Sequence, residues 1–261
     1  MTPANILIIL LLAFLAFSGW WLFFRKKRLK WDEFPSAWRD TLLDKVGFYK
    51  QLKKRDQKQF EDDVLHFLSE VEVTGVDVEV DDTDRVLVAA SAVIPLFGFP
   101  GWRYRNLNEV LLYEGTFNAE YDVKAKDKNI LGMVGSGSMQ RMMILSKPAL
   151  HQSFANKTSK THLGIHEFVH LLDKADGSVD GIPEELLDKQ YCIPWLNKIQ
   201  EEIADIKAND SDINPYGATN KAEFFSVASE YFFKRPKLLA RKHPDLYELL
   251  ERIFRQDPAE H

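Results

Sequence analysis

The sequence predicts an α+β fold: a small sheet precedes a helical C-terminal half, and both follow an N-terminal transmembrane helix. Strand-like runs lie between positions 71 and 145, and apolar residues recur at helical spacing from about position 161. An uncharged apolar N-terminus predicts the membrane segment. The chain has 261 residues, 45% hydrophobic and 28% charged. That is the size and composition of one large globular domain with an appendage.

The N-terminal segment has the pattern of a membrane anchor with a basic stop segment, predicted over residues 1–30. No charged side chain occurs between Met1 and Phe24, and the basic block Arg25–Arg28 follows. A run of about 20 apolar residues matches the hydrocarbon thickness of a bilayer. Because the bases follow the apolar run, the positive-inside rule predicts a single-pass protein of the inner (cytoplasmic) membrane, with the folded domain in the cytoplasm and lipid as a partner. The alternative is a core helix of a soluble protein.

The folded domain is predicted over residues 31–261 and begins with amphipathic helices as far as about Glu70. Valines alternate with acidic or small residues over Val71–Val80, which favours an extended segment. A second apolar stretch, Arg85–Phe97, predicts a buried helix that ends near Pro95.

Two strands and a set of helices complete the predicted order. The runs Glu109–Tyr113 and Arg141–Leu145 have strand composition, and the Gly-Ser turn at 135–138 precedes the second run. The segment 135–145 either offers an edge strand to an extended peptide or forms a core strand. From about Thr161 the chain predicts helices again, first through residues 166–170 and then at about Glu184–Ile206, Ala218–Phe233 and Pro244–Phe254.

Charge and cysteine content exclude some classes of function. The net charge of −5 gives no reason to expect nucleic acid as a partner. A single cysteine, Cys192, excludes an intrachain disulfide and a cysteine-rich zinc site, in agreement with a reducing compartment.

The stretch 166–170 reads His-Glu-Phe-Val-His, an HExxH motif. Residues four apart share one face of a helix, so His166 and His170 can both bind one Zn²⁺ at roughly 2.0–2.1 Å. Glu167 lies between them and can take a proton from water beside the metal. The pattern predicts a zinc hydrolase site; the plainer alternative is an exposed helix with two unrelated histidines.

Catalytic zinc normally has a third protein ligand, and two downstream carboxylates are candidates. Glu223 and Glu230 are seven residues apart, on nearly the same face of a predicted helix. Both stand among aromatic residues, where a buried carboxylate needs a cation. The spacing does not choose between them. Asp173, three residues after His170, either accepts an N–H from a ligand imidazole, caps the helix or is exposed.

His162 lies one turn before His166 and is a further histidine near the motif. As a fourth ligand it would close the site and make the chain a structural zinc protein. The preferred interpretation is a supporting or structural histidine.

Together these motifs resemble the Mlc titration factor A family of zinc metallopeptidases, which is of gluzincin type and related to the lethal-factor-like metalloproteases. The resemblance covers roughly residues 35–258. It rests on HExxHxLD over 166–173, on a Tyr-x6-Glu spacing from Tyr216 to Glu223, and on the aromatic stretch 222–233.

The resemblance implies a zincin-like metallopeptidase domain with Zn²⁺ as cofactor. It implies three zinc ligands and two catalytic residues, namely His166, His170 and Glu223 for the metal, and Glu167 and Tyr216 for catalysis. The expected activity is hydrolysis of peptide bonds in a peptide or protein by a metal-activated water. In that reaction Glu167 is the general base and Tyr216 donates to the oxyanion. From the residues alone, the preferred interpretation of Tyr216 is a buried turn tyrosine with a satisfied hydroxyl.

A second function from another class stays open. The chain is alternatively a membrane-tethered protein that binds a regulator with a metallopeptidase fold and hydrolyses slowly or not at all. A transcriptional regulator as partner follows from the resemblance only, because the family's named partner is the repressor Mlc.

Overall fold

The structure is a computed structural model that describes residues 33–119, 121–122 and 129–260. The chain divides into compact units at Lys30/Trp31, and the second unit is treated by itself. Its helices are α1 Ser36–Lys45, α2 Gly47–Gln51, α3 Lys54–Glu70, α4 Asp82–Leu96, α5 Lys147–Ala155, α6 Leu163–Asp173, α7 Lys189–Lys207, α8 Lys221–Lys234, α9 Pro236–Lys242 and α10 Pro244–Phe254. Its strands are β1 Glu72–Val76, β2 Glu109–Tyr113, β3 Gly132–Val134 and β4 Met142–Ser146.

The four strands form one mixed sheet in the order β1-β2-β4-β3. Strands β1, β2 and β4 are parallel, with Glu109 opposite both Glu72 and Met142. Strand β3 pairs antiparallel with β4, so that Gly132 lies opposite Leu145. The short antiparallel strand therefore stands at one edge of the sheet.

Residues at the N-termini of the two central helices, α4 and α6, cap these helices. Asp81 and Asp84 form a reciprocal capping box at the start of α4, and this helix is buried over nearly its whole length. The side chain of His162 accepts the backbone N–H of Ile165 and so caps α6. Helix α6 packs against α4, α8 and β3, which places the HExxH residues in the middle of the domain.

Helix α8 is the most aromatic element of the core. Asn220 accepts the N–H of Glu223 at 2.9 Å and caps the helix. Its buried aromatic side chains pack against α7 and α10, where Phe225 stacks on Phe254 at 5.9 Å between ring centroids. This packing fixes the position of α8 beside α6.

The elements follow the predicted order with some shifted bounds. The predictions Glu109–Tyr113 and Pro244–Phe254 are confirmed to the residue. The extended segment predicted over Val71–Val80 ends at Val76, where Asp77 takes a positive φ of 57°. The helix predicted from Glu184 begins only at Lys189. The elements β3, α5 and α9 were not predicted.

The predicted fold class needs a correction at its N-terminus. In the described part of the chain, no helix is long and apolar enough to cross a bilayer. The apolar α4 has 15 residues, which at 1.5 Å each is about 22 Å, short of the roughly 30 Å hydrocarbon core. The longer α7 carries charges along its length.

The transmembrane helix, the single-pass inner-membrane localisation and the lipid partner are therefore not supported. The segment 1–30, on which the anchor was predicted, lies outside the described residues, and the domain bound at residue 31 stays a prediction. What the structure gives is an α+β domain with a small mixed sheet and mostly helices.

Candidate metal centre

The structure brings His166 and His170 of α6 together with Glu223 of α8. The Nε2 atoms of the two histidines are 3.1 Å apart. Glu223 Oε2 lies 3.1 Å from His166 Nε2 and 3.3 Å from His170 Nε2. Of the described residues, these three form the group whose ligand atoms could hold one metal ion.

The size of this triangle fits a zinc ion. Four ligands at 2.0–2.1 Å in tetrahedral geometry have edges of about 3.3–3.4 Å. The observed edges of 3.1 to 3.3 Å match that length to within a few tenths of an ångström. Two imidazoles and one carboxylate are also the donor set of open catalytic zinc sites.

Glu230 lies directly behind His166. Its Oε1 is 2.7 Å from His166 Nδ1, and its Oε2 accepts the backbone N–H of His162. The side chain is buried. Because Nδ1 donates to this carboxylate, Nε2 of His166 is left unprotonated in the neutral ring and points its lone pair at the triangle. Glu223 and Glu230 therefore act on the same histidine from its two ring nitrogens.

The charges at the centre are unbalanced without a cation. Burial lowers the pKa of His166, but the hydrogen bonds that it donates to Glu223 and Glu230 outweigh burial and raise this pKa to about 10. Burial raises the pKa of Glu223, but hydrogen bonds from His166 and His170 outweigh it and bring the value to about 2. The carboxylates thus attract positive charge to this point, which a dication would supply with release of the imidazole proton.

Glu167 points into the same region from the buried side of α6. It is buried, and burial raises the pKa of its carboxyl. Strand β3 passes close over it: a Cβ placed on Gly132 would lie 2.6 Å from Glu167 Oε1. Only a glycine at position 132 leaves the carboxyl of Glu167 where it is.

A cleft of about 520 Å³ opens beside the triangle. His166, Glu167 and Tyr216 line it, together with residues 130–132, of which Gly132 begins the edge strand β3. The volume is that of a small-ligand or peptide side-chain site.

Tyr216 stands in a 3-10 turn, Pro215–Ala218, in which Asn214 accepts its backbone N–H at 3.0 Å. Its side chain is 53% exposed, and its ring centroid is 6.1 Å from that of His166. Burial raises the pKa of Tyr216, and the charges of Glu223 and Glu167 raise it further. The hydroxyl therefore stays protonated and can donate at neutral pH.

The two remaining candidates, Asp173 and His162, form hydrogen bonds outside the triangle. Asp173 accepts the N–H of Gly181 at 3.0 Å with Oδ2, and no hydrogen bond to a ligand imidazole is formed among the described residues. His162 directs its Nδ1 to the start of α6 and does not join the triangle. A closed site with His162 as a fourth ligand therefore has no geometric support.

Comparison with known proteins gives the family of this chain. The sequence model of the glucose-regulated metallo-peptidase M90 family matches residues 21–255, which is most of the chain. The chain belongs to the M90 family.

Curated relatives extend the comparison. An uncharacterized protein of Synechocystis sp. strain PCC 6803 is 28% identical, over 99% of the M90 chain and 98% of that protein. The Mlc titration factor A of Serratia proteamaculans is 28% identical, over 85% of the chain and 88% of that protein. That of Pectobacterium atrosepticum is 32% identical over 58% of the chain and 60% of that protein. The predicted family is confirmed, and with it a metallopeptidase class that implies a metal.

Sequence reasoning on the M90 chain left Glu230 as an alternative to Glu223 for the third ligand, and it gave Gly132 no role. The seven-residue spacing did indicate that Glu223 and Glu230 share a face of one helix, and the structure uses both. Gly132 had no signal in the sequence, because its importance comes from a contact with a residue 35 positions away.

Proposed function

We propose that this chain is a zinc-dependent peptidase that hydrolyses peptide bonds with Glu167 as general base. The observation that carries the proposal is the triangle of His166, His170 and Glu223, whose edges are 3.1 to 3.3 Å. Glu167, the residue that follows His166, lies buried beside the same cleft.

His166, His170 and Glu223 would hold the zinc, and Glu230 would fix the ring of His166. When bound, the ion supplies Lewis acidity toward the substrate carbonyl and lowers the pKa of water beside it. Three protein ligands leave room for that chemistry, whereas a fourth would close the site.

Glu167 takes the proton of the attacking water and passes it to the leaving amine. Burial raises the pKa of Glu167, and a raised carboxyl pKa makes a better proton acceptor near neutral pH. Because residue 132 is a glycine, β3 can pass close to this carboxyl without displacing it.

Tyr216 donates a hydrogen bond from its hydroxyl to the oxyanion of the tetrahedral intermediate. Its position in the cleft lining with His166 and Glu167 supports this role. A fixed donor of this kind is worth roughly 10²–10³ in rate.

An extended peptide fits the cleft as an added strand. Strand β3 pairs with β4 along one side, and within the described ranges no strand pairs with its other side. Gly132 lines the cleft, so the open side of β3 would bind the substrate next to Glu167, whereas Ile130 is already paired with Phe117.

The test compares Glu167→Gln with the parent and with Glu201→Gln, a matched change at an exposed glutamate of α7. With zinc present, we expect Glu167→Gln to lose activity on a peptide library by about 10²–10⁴-fold. Zinc content should stay near one per chain in all three proteins. Equal turnover by Glu167→Gln and the parent would remove Glu167 as the base.

Regulator binding is a second candidate function, favoured by the printed name of the relatives, Mlc titration factor A. Calorimetry of the full chain with purified Mlc tests it. Binding by both the parent and Glu167→Gln, with no peptide cleavage by either, would favour the binder over the enzyme.

A further inference from the structure

A second cleft of about 340 Å³ lies at the N-terminal end of α6, outside the metal centre. Its floor is apolar and includes Ile94, Phe154 and Phe233, and its rim carries Lys45, Lys50 and Lys157. No acidic side chain lines it within the described part of the chain. On a protein with a net charge of −5, this is a local excess of positive charge.

His162 lines this cleft and holds an unused hydrogen-bond donor. The residue is 2% exposed. Its Nδ1 accepts the N–H of Ile165, so the proton of the neutral ring is on Nε2. Nε2 has no hydrogen-bond partner among the described residues. A buried donor without an acceptor is costly, by about 1–3 kcal/mol.

The surroundings explain why His162 stays neutral and why no protein group satisfies it. Burial lowers the pKa of His162 to about 3, and the charge of Lys234 lowers it further. The rings of Phe154 and His162 pack at nearly right angles, with centroids 4.4 Å apart. An aromatic face is at best a weak acceptor. Lys234 donates to the carbonyls of Ser153 and Asn156 and offers no lone pair.

We propose that this cleft binds a small organic anion with an apolar body, whose carboxylate accepts the Nε2–H of His162. The apolar part would pack on Phe154 and Phe233, and the rim lysines would favour the negative charge. The volume is sufficient for one molecule of this class.

The side chain of Glu230 links the cleft to the metal centre through hydrogen bonds. The backbone N–H of His162 donates to Glu230, and the other carboxylate oxygen of Glu230 is 2.7 Å from His166 Nδ1. An anion at His162 Nε2 therefore binds to the residue whose backbone N–H donates to Glu230.

The experiment titrates octanoate into the full-length chain at pH 7 by calorimetry, with and without added zinc. We expect saturable binding of one octanoate per chain. Octan-1-ol has the same apolar body without the charge, and inorganic phosphate has charge without the body; both should bind at least tenfold more weakly. Octan-1-ol binding as tightly as octanoate would overturn the anion proposal.

Two variants test whether His162 and Lys157 contribute to octanoate binding. His162→Asn keeps an acceptor at the cap of α6 and removes the imidazole donor; we expect octanoate to bind about tenfold or more weakly, as for a lost hydrogen bond to a charged group. Lys157→Gln should weaken it about two- to fivefold without risk to folding. The control Lys58→Gln removes a lysine exposed on α3 and should leave the affinity unchanged.

A spectroscopic readout locates the ligand independently of affinity. In nitrogen-15 spectra of the imidazoles, the His162 Nε2–H proton should move downfield when octanoate binds. A signal that stays in place while octanoate is bound would put the ligand elsewhere. The absence of any saturable octanoate binding would overturn the proposal outright. None of these measurements uses peptidase activity, so their outcome is independent of the test of Glu167 as general base.

Discussion

Two clusters of histidine and carboxylate side chains lie near the ends of α8 and differ in where their positive charge comes from. In the first, Asp212 is surrounded by cations of the chain: Lys160 Nζ at 2.6 Å, Lys242 Nζ at 2.8 Å and His243 Nε2 at 2.8 Å. In the second, Glu223 and Glu230 contact only imidazoles, those of His166 and His170, among the described ion pairs.

The difference separates a cluster that is complete by itself from one that needs an ion. Burial raises the pKa of Asp212, but hydrogen bonds from Lys160, Lys242 and His243 outweigh it and hold this pKa well below its usual range. The second cluster holds Glu223, Glu230 and Glu167 around two titratable rings without a lysine or arginine in its described contacts. A buried carboxylate group of this kind fits a bound dication.

The largest expected effect comes from matched carboxylate-to-amide changes in the two clusters. Glu223→Gln should weaken zinc binding by more than the 10–100-fold typical of losing an outer partner of a ligand, because it removes an atom that we propose as a ligand. Asp212→Asn should leave the zinc affinity unchanged. Competition with a chelator measures both, and equal losses would erase the distinction between the clusters.

The variant Gly132→Ala adds a methyl group to the edge strand β3 and tests Glu167, the proposed general base of the second cluster. In Gly132→Ala, the new Cβ would meet Glu167 Oε1 at 2.6 Å, so the carboxyl has to move. We expect activity to fall by about 10²-fold with zinc retained, since a displacement of about 1 Å can cost that much. In the control Gly115→Ala the new atom enters open space, and its activity should equal that of the parent.

Glu230→Gln sharpens the comparison within the second cluster. The amide keeps the size of the side chain but offers a weaker acceptor to His166 Nδ1. Zinc affinity should fall by about 10–100-fold, less than for Glu223→Gln. If the order of the two were reversed, the assignment of Glu223 as ligand and Glu230 as its support would be wrong.

The smallest effect concerns stability and its pH dependence. Asp212→Asn should lower the free energy of unfolding at pH 7 by about 2 kcal/mol, since it removes hydrogen bonds to charged groups. Because folding lowers the pKa of Asp212, its contribution is present above the unfolded-state value of about 3.9 and is lost as the pH falls through the folded value. Urea titrations from pH 7 to 3 should show the gap between variant and parent closing below about pH 4. A gap that persists in acid would contradict this.

Local patterns predicted the parts of the molecule that local forces determine. The helix Pro244–Phe254 and the strand Glu109–Tyr113 have strong periodicity and clear end signals, and both have the predicted bounds. The HExxH histidines are one helical turn apart, so their meeting follows from helix geometry alone. Strand β3 has only three residues and exists through its pairing with β4, which no local pattern carries.

The choice between Glu223 and Glu230 shows more clearly what the sequence alone cannot predict. Spacing placed both on one face of α8 but could not tell which faces the metal side, since that depends on how α8 packs against α6. The structure gives each carboxylate a different nitrogen of His166. The predicted membrane anchor is not supported for another reason. It rested on the composition of residues 1–30, which lie outside the described part of the chain, and no helix within that part is long and apolar enough to cross a bilayer.

The pairing of α6 with α8 has a mechanical consequence. Glu223 and Glu230 both belong to α8, and the histidines they contact belong to α6. A bound ion would therefore act as a cross-link between two helices that are otherwise held by side-chain packing. Opening of either helix would then require release of the ion, so amide hydrogen exchange in α6 and α8 should slow together on zinc addition, while exchange in α1 and α3 stays as it was.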